Sequence, residues 1–161
     1  MLDKAWILLD TLVRMVIRTR GRAEVNEALL IKKAQEAAEF AYAPYSGFRV
    51  GAALLCADGQ IYIGCNVENA AYGVSNCAER TAIFKAVSEG VQHFRAIAIT
   101  GAFANESGDK RRFTMPCGTC LQVMTEFCNP DEFIVFAANP LGELKRYTLR
   151  ELLPHSFALE G

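Results

Sequence analysis

The sequence predicts an α/β fold in which helices cover a mixed five-stranded sheet. Short apolar runs rich in β-branched residues alternate with helical patterns, in the order α, β, β, α, β, α, β, β, α. The length of 161 residues, 52% of them hydrophobic, suffices for one domain with a substantial core. We therefore expect a single α/β domain that follows a short N-terminal extension.

The first predicted elements are a helix and a β-hairpin. Residues 24–41 are rich in Ala, Leu, Glu and Lys, and the helical pattern stops before Pro44, as helices commonly do. Two apolar runs follow at residues 48–56 and 61–67. The segment ADGQ between them contains the Asp-Gly signal of a tight turn, which predicts an antiparallel hairpin.

The second half of the chain alternates helices with strands. One helix is predicted to begin near Cys77, and another begins at a Cys-x-x-Cys pair. Three strands are predicted in this half, namely FRAIAIT at 94–100, EFIVFAA at 132–138 and LKRYTL at 144–149. The last predicted helix lies in TLRELLP, where Thr148 and Glu151 have the spacing of a capping box.

Charge and cysteine content limit the expected partners and compartment. A formal net charge of -1 gives no basic field for a phosphate backbone, so we do not expect nucleic acid as a ligand. Six cysteines without a recognisable secretory signal are expected to be reduced. These features predict a cytoplasmic protein.

Residues 1–22 differ in character from the rest. Charged residues interrupt their apolar run, so we expect no membrane span. Apolar residues at helical spacing predict an amphipathic helix that docks on the domain or on a partner subunit. A frayed or non-native extension, a membrane-surface helix and a targeting segment are the alternatives.

The Cys-x-x-Cys pair, Cys117 and Cys120, has three interpretations. It fits a thioredoxin-like redox pair at a helix N-terminus. It also fits a structural zinc site, with a fourth ligand drawn from Cys56, Cys65 or Cys128, although the first two stand in apolar strand patterns that favour a core role. The third interpretation is a catalytic zinc site with three thiolates and an open fourth position.

Glu79 favours the catalytic site. It follows Cys77 by two residues, in the first turn of a predicted helix, where a glutamate often only complements the helix dipole. Beside a metal-binding cysteine, the same side chain can act on a water molecule without being a ligand. Cys-Ala-Glu followed 40 residues later by Pro-Cys-x-x-Cys is typical of zinc deaminases with a non-ligand glutamate as general acid/base.

Residues 26–158 resemble the small, three-cysteine, homotetrameric type of cytidine deaminase. The resemblance rests on the segments YAPYSGFRVGAAL, GCNVENAAYG, NCAERTA, PCGTCLQV and ELLPHSF. It implies a three-layer αβα fold, with residues 23–161 as the catalytic domain. It also implies zinc-dependent hydrolytic deamination of cytidine and deoxycytidine in pyrimidine salvage, with active sites shared between subunits.

The resemblance also implies a role for individual residues. The implied ligands of one zinc per subunit are Cys77, Cys117 and Cys120, and Glu79 is implied to shuttle protons. The implied substrate contacts are Phe48 on the base, Asn66 and Glu68 on the sugar hydroxyls, Ala78, and Tyr72 and Phe157 reaching a neighbouring subunit's pocket. The pattern alone would place Phe48 in the core, and Asn66 and Glu68 on one face of a strand.

Arg80 is predicted to offset the charge of the metal site. Three thiolates on Zn²⁺ leave a net charge of -1, and Arg80 is placed to donate hydrogen bonds to two of the sulfurs. An ordinary surface arginine is the alternative. The chain departs from the family pattern at Thr119 and Leu121, where Ala and Arg are frequent.

Two other functions remain open from the sequence. A deaminase of a modified cytosine nucleoside such as blasticidin S would keep the zinc core but not the NVEN segment. A structural-zinc interaction module would need a fourth cysteine at the metal.

Overall fold

The apolar runs form a mixed five-stranded sheet in the computed structural model, which describes residues 25–104 and 111–157. The strands are β1 Phe48–Cys56, β2 Ile61–Cys65, β3 Phe94–Phe103, β4 Ile134–Ala138 and β5 Leu144–Thr148. They lie in the order β2-β1-β3-β4-β5, with β3 and β4 parallel and the other neighbours antiparallel. The predicted mixed sheet is confirmed.

Helices cover both faces of this sheet. The α-helices are α1 Glu27–Ala38, α2 Ala78–Ser88, α3 Gly118–Phe127 and α4 Leu149–Leu152. A short 3₁₀ turn at Tyr72–Val74 was not predicted from the sequence. The helix predicted within residues 1–22 lies outside the described residues. None of the described helices is long and apolar enough to cross a bilayer.

Strand β1 contributes to two cores because successive side chains point to opposite faces. Ala52 and Leu54 pack with α2, α3 and α4 on one face. Ala53 and Leu55 pack with α1 on the other face. This explains why β1 is apolar without alternation, and it gives the three-layer αβα architecture that the resemblance implied.

Local signals fix several helix starts. The Asn26 side chain accepts a hydrogen bond from the Leu29 amide at 3.0 Å and caps α1. Thr148 and Glu151 form the predicted capping box at α4, with both reciprocal hydrogen bonds present. The capping-box prediction is therefore confirmed.

Four strands differ from the prediction at one boundary. Strand β4 begins at Ile134 and β5 ends at Thr148, each within two residues of the predicted limit, whereas the changes in β2 and β3 bear on the site. Strand β2 ends at Cys65 because the Asn66 side chain, rather than further backbone, accepts the Val50 amide at 2.8 Å. Strand β3 continues to Phe103, since its last residues pair with the beginning of β1. Asn66 and Glu68 therefore lie after β2. The prediction that they share one face of that strand is wrong.

Gly64 allows α2 to approach the sheet closely. A Cβ atom at this position would lie 2.4 Å from the Ala82 nitrogen and 2.5 Å from the Ala78 oxygen, both backbone atoms of α2. We expect Gly64→Ala to lower the free energy of unfolding by about 2–3 kcal/mol, as overpacked positions commonly do. Urea unfolding measures this difference.

Gly73→Ala is the matched control for this prediction. A Cβ atom at Gly73 has no neighbour within 4 Å. The control should therefore change the free energy of unfolding by less than about 0.5 kcal/mol. Equal stability of the two variants would contradict the close approach of α2.

Candidate metal and catalytic site

Three cysteine sulfurs meet where two helices begin. Cys77 is the N-cap of α2 and Cys117 is the N-cap of α3; both have extended backbone, and neither uses its side chain to cap its helix. The sulfurs of Cys77 and Cys117 are 3.9 Å apart, and those of Cys117 and Cys120 are 3.6 Å apart. All three sulfurs lie within 4.8 Å of one another.

The protonation of these thiols reflects their proximity. The pKa of Cys77 is lowered to about 5, first by a hydrogen bond with Cys120 and then by contacts with Arg80 and Cys117. The pKa of Cys120 is raised by its hydrogen bond with Cys77 and by burial. A divalent cation bound among the three sulfurs would favour the thiolate form of all three residues.

Glu79 lies in the first turn of α2, beside the sulfur cluster. Its side chain is buried, with 3% of its surface exposed. The pKa of this carboxyl is raised to about 7, mainly by burial and also by the charge on Cys77, although hydrogen bonds and Arg80 act in the opposite direction. A carboxyl group with such a pKa can both accept and donate a proton near neutral pH.

Arg80 contacts the cluster from within α2. Its Nη2 donates to the Ser75 carbonyl at 3.0 Å and approaches the Cys77 sulfur to 3.8 Å. Among the described residues, its buried Nε has no hydrogen-bond partner. These contacts separate Arg80 from an ordinary surface arginine.

Phe48, Asn66 and Glu68 form a second group. The Asn66 amide accepts from the Val50 N–H and donates to the Phe48 carbonyl at 2.9 Å. Glu68 accepts the backbone amides of Tyr45 and Ser46 at 2.9 and 3.2 Å, and also the Ser46 hydroxyl. The hydrogen bond from Ser46 is the main reason why the pKa of Glu68 lies below its usual value.

A short backbone bridge joins this group to the cluster. Val67 lies between Asn66 and Glu68, and its N–H and carbonyl pair with the backbone of Asn76 at 2.9 Å. Asn76 immediately precedes Cys77, and its side chain donates to the Thr81 hydroxyl at 3.0 Å. The two groups are therefore parts of one connected region.

The remaining predicted substrate residues lie at the edges of this region. Ala78 is fully buried at the start of α2. Tyr72 is 73% exposed, and its ring centroid lies 6.3 Å from that of Tyr45. Phe157 follows α4, is 69% exposed, and its carbonyl accepts a hydrogen bond from Gln122 at 2.9 Å. Ala78 directly follows Cys77, whereas in the described part of the chain no hydrogen bond or ring contact joins Tyr72 or Phe157 to the sulfur cluster.

A cleft of about 690 Å³ lies beside Phe48 and is separate from the cluster. It is bordered by the start of β1, the end of β3 and residues of α1, together with Arg112, Pro140 and Leu141. Neither the three cysteines nor Glu79 line it.

Comparison with known proteins assigns the region to a family. Residues 24–137 match the family model described as the cytidine and deoxycytidylate deaminase zinc-binding region. The chain belongs to this family. The match includes all three clustered cysteines and Glu79, and it accounts for the order of the motifs along the chain.

Individual members of the deaminase family agree with this assignment. A cytidine deaminase from Sporosarcina psychrophila is 49% identical over 131 residues, which are 81% of this chain and 90% of that protein. One from Halalkalibacterium halodurans is 48% identical over 84% of this chain and 97% of that protein. The crystal structure of cytidine deaminase from Burkholderia pseudomallei superimposes with a TM-score of 0.73 at 44% identity, covering 81% of this chain and 98% of that one.

The sulfur cluster suits the zinc that this deaminase family binds. Thiolates are preferred zinc ligands, and three that converge within 4.8 Å are compatible with one ion. Of the described residues, the metal-binding group contains only these three cysteines. Cys56 and Cys128 are buried in the core, and the Cys65 thiol donates to the Phe40 carbonyl at 3.4 Å. Among the described residues, none of these three candidates joins the group as a fourth cysteine.

Of the two departures from the family pattern, Leu121 is buried and Thr119 is exposed. Leu121 lies on α3 and packs in the core that α2, α3 and α4 form on one face of the sheet. The uncharged residue at this position is therefore accommodated by the helix packing of this deaminase.

We expect Arg80→Gln to lower kcat by about tenfold while zinc remains bound, as for other groups that tune metal ligands. The reason is that Gln keeps a donor near Cys77 but loses the positive charge that balances the thiolates. Steady-state rates and zinc content together measure this effect. Arg150→Gln removes an exposed arginine paired with Asp131 and should change neither, whereas equal kcat in the two variants would contradict the role of Arg80.

Sequence reasoning missed the polar residues that hold the site segments in place. The hydroxyl of Thr81 lies 2.9 Å from the Cys65 carbonyl and 3.2 Å from the Cys77 carbonyl and can donate its proton to either, and it accepts from Asn76. Ser46 connects Glu68 with Phe48. The available signal was their position inside the segments YAPYSGFRVGAAL and NCAERTA, but periodicity does not reveal which backbone groups a side chain reaches.

Proposed function

We propose that this chain catalyses hydrolytic deamination of cytidine and deoxycytidine, giving uridine or deoxyuridine and ammonia. The observation that carries the proposal is the buried Glu79 beside a cluster of three sulfurs. Hydrolytic deamination needs a group that carries protons beside a metal that activates water, and the adjoining beginnings of α2 and α3 supply both.

Each residue of the cluster has a distinct role in the proposed reaction. Cys77, Cys117 and Cys120 hold the zinc, which supplies a Lewis acid that activates water. Glu79 accepts a proton from the water that adds to C4 and delivers it to N3. It then takes the proton of the new C4 hydroxyl and passes it to the amino group, so that the C4–N bond breaks, the C4 carbonyl forms and ammonia leaves.

The second group is proposed to hold the rest of the nucleoside. Phe48 provides an aromatic surface for the pyrimidine. Asn66 and Glu68 provide hydrogen-bonding groups for the sugar hydroxyls, and the buried start of α2 at Ala78 contacts the base. This assignment also favours an ordinary nucleoside over blasticidin S, because the NVEN segment is present and linked to the cluster through Val67.

Product formation tests the proposed activity directly. The zinc-loaded protein should convert cytidine and deoxycytidine into uridine and deoxyuridine with one ammonia per product. Deoxycytidine monophosphate, cytosine and blasticidin S, assayed in parallel, define the substrate class. Faster turnover of any of these three than of both nucleosides would contradict the proposal.

We also propose the domain limits and the biological setting. Residues 23–161 form the catalytic domain, and residues 1–22 are an extension to it. The six cysteines of the described region are all free thiols, a state typical of a reducing compartment. We therefore infer a cytoplasmic enzyme of pyrimidine salvage.

We further infer that the active unit is a homotetramer with shared sites. Large apolar side chains are exposed on the loops near the site, including Tyr42, Tyr45, Tyr72, Val74 and Phe157. Such an accumulation is typical of surfaces that another protein covers. Tyr72 and Phe157 would then complete a neighbouring subunit's pocket.

Subunit complementation tests the shared site. A variant that lacks residues 155–161 and a Glu79→Gln variant should each be nearly inactive alone while remaining tetrameric by light scattering. Co-refolded mixtures should exceed the summed activities, because an intact tail can close a site that has an intact glutamate. A fully active monomer, or simple additivity in the mixture, would contradict the shared site.

A further inference from the structure

Both backbone polar groups of Phe48 are held by side chains of its own site. The Phe48 N–H donates to the Ser46 hydroxyl oxygen at 3.0 Å. On its other side, the Phe48 carbonyl accepts from Asn66 at 2.9 Å. The same Ser46 hydroxyl donates to Glu68 Oε1. Ser46 is therefore the link between the Glu68 carboxylate and the backbone that carries the Phe48 ring.

The Glu68 carboxylate is largely occupied by this link. Its Oε2 accepts the N–H groups of Tyr45 and Ser46, and its Oε1 accepts the Ser46 hydroxyl. A carboxylate has about four acceptor positions, two on each oxygen. One position remains, on Oε1, so Glu68 can accept one hydroxyl of a ligand at the oxygen that Ser46 orients.

The Phe48 ring is also fixed from the opposite side. Its centroid lies 4.9 Å from that of Phe103, the residue paired with it on β3. Gly47, between Ser46 and Phe48, has a φ of +66°, which a residue with a side chain adopts at a cost. The loop thus has one favoured path, along which the serine hydroxyl reaches both the carboxylate and the Phe48 amide.

We propose that Ser46 is a positioning residue that couples Glu68 to Phe48, so that the sugar and the base are recognised by one connected unit. This inference rests on the proposed function, in which these two residues contact the nucleoside. Ser46 itself lies outside the reacting atoms and acts through its two neighbours.

Ser46→Ala should raise KM for cytidine by about tenfold, since hydrogen bonds to charged groups have effects of this order. The kcat should stay within about threefold of wild type, because no contact links Ser46 to Glu79 or the sulfurs in the described region. Partial unfolding would lower kcat without raising KM, so the split between the two constants separates positioning from loss of structure. Ser46→Thr keeps the hydroxyl, so its KM should lie close to the wild-type value.

Ser88→Ala is the matched control. Ser88 is also exposed, and its hydroxyl donates to the Lys85 carbonyl at the far end of α2. The control therefore removes the same group from a surface site without touching Glu68 or Phe48. Both constants should remain at the wild-type values.

Two further measurements test the coupling itself. In a double-mutant cycle, Ser46→Ala combined with Glu68→Gln should raise KM by less than the product of the single effects. With 2′,3′-dideoxycytidine, which lacks the hydroxyls proposed to reach Asn66 and Glu68, Ser46→Ala should still raise KM about threefold through Phe48.

The outcomes distinguish the inference from the function on which it rests. If the wild-type protein is active, any one of three results would overturn the coupling alone. These are an unchanged KM in Ser46→Ala, independent effects of the two substitutions in the double-mutant cycle, and an unchanged KM of Ser46→Ala for 2′,3′-dideoxycytidine. A wild-type protein that releases no ammonia from either nucleoside would overturn the proposed function, and the coupling with it.

Discussion

Glu79→Gln should lower turnover of cytidine by at least about hundredfold, because general acid–base catalysis typically contributes 10²–10⁴. The amide keeps the size and hydrogen-bonding capacity of the carboxyl but cannot carry a proton. Zinc content should stay at one ion per chain, since Glu79 is not among the clustered sulfurs. Single-turnover assays with metal analysis measure both properties.

The structure offers a clear control for this variant. Glu126 is an exposed glutamate of α3, and Glu126→Gln makes the same chemical change away from the cluster. It should leave turnover unchanged. Stability should not fall in Glu79→Gln either, since burial already disfavours the charged form of this carboxyl. Turnover within tenfold of wild type would remove Glu79 from the proton-transfer role.

Cys117→Ala should weaken zinc binding by more than about hundredfold, because changes to groups that merely orient metal ligands already cost 10–100-fold. Cys117 is the sulfur common to both close contacts, at 3.9 Å from Cys77 and 3.6 Å from Cys120. The variant keeps only two of the three sulfurs, and it should lose turnover because it loses the zinc. Competition with a chelator of known affinity, followed by elemental analysis, gives the change.

Cys56→Ala distinguishes a lost ligand from a lost thiol. Cys56 is fully buried in the core of the α2 face. Its replacement should lower the free energy of unfolding by about 1 kcal/mol, as small core truncations do, while zinc is retained. Equal zinc content in the two variants would contradict the assignment of Cys117 as a ligand.

The fold was predictable where local signals and burial agree. Residues 48–56 form β1 with the predicted limits, because the strand is buried on both faces and an Asp-Gly turn follows it. The α4 capping box was also readable from two residue types at fixed spacing. The end of β3 was not, since the pairing of Phe103 with Phe48 is a tertiary contact that follows no sequence period.

The site was predictable in its residue types but only partly in its geometry. The two cysteine motifs are 40 residues apart in sequence, and the sheet brings their sulfurs together as the spacing suggested. Asn66 and Glu68 were predicted to share a strand face. Instead, the Asn66 side chain accepts the Val50 amide of β1, and the Glu68 side chain anchors the loop before β1. A side chain that substitutes for backbone in a ladder leaves no trace in hydrophobic periodicity.

The parallel pairing of β3 with β4 bears on the order in which the molecule folds. The β1–β2 hairpin joins close neighbours in sequence, whereas the parallel pairing of β3 with β4 spans the crossover that contains α3, so we expect this pairing to form later. Cys77 precedes this crossover, and Cys117 and Cys120 lie within it, so we expect the three sulfurs to converge late as well. Interactions formed after the folding barrier mainly slow unfolding. We therefore expect bound metal to slow unfolding of the crossover. It should prolong the lifetime of the native state and leave the rate of folding nearly unchanged.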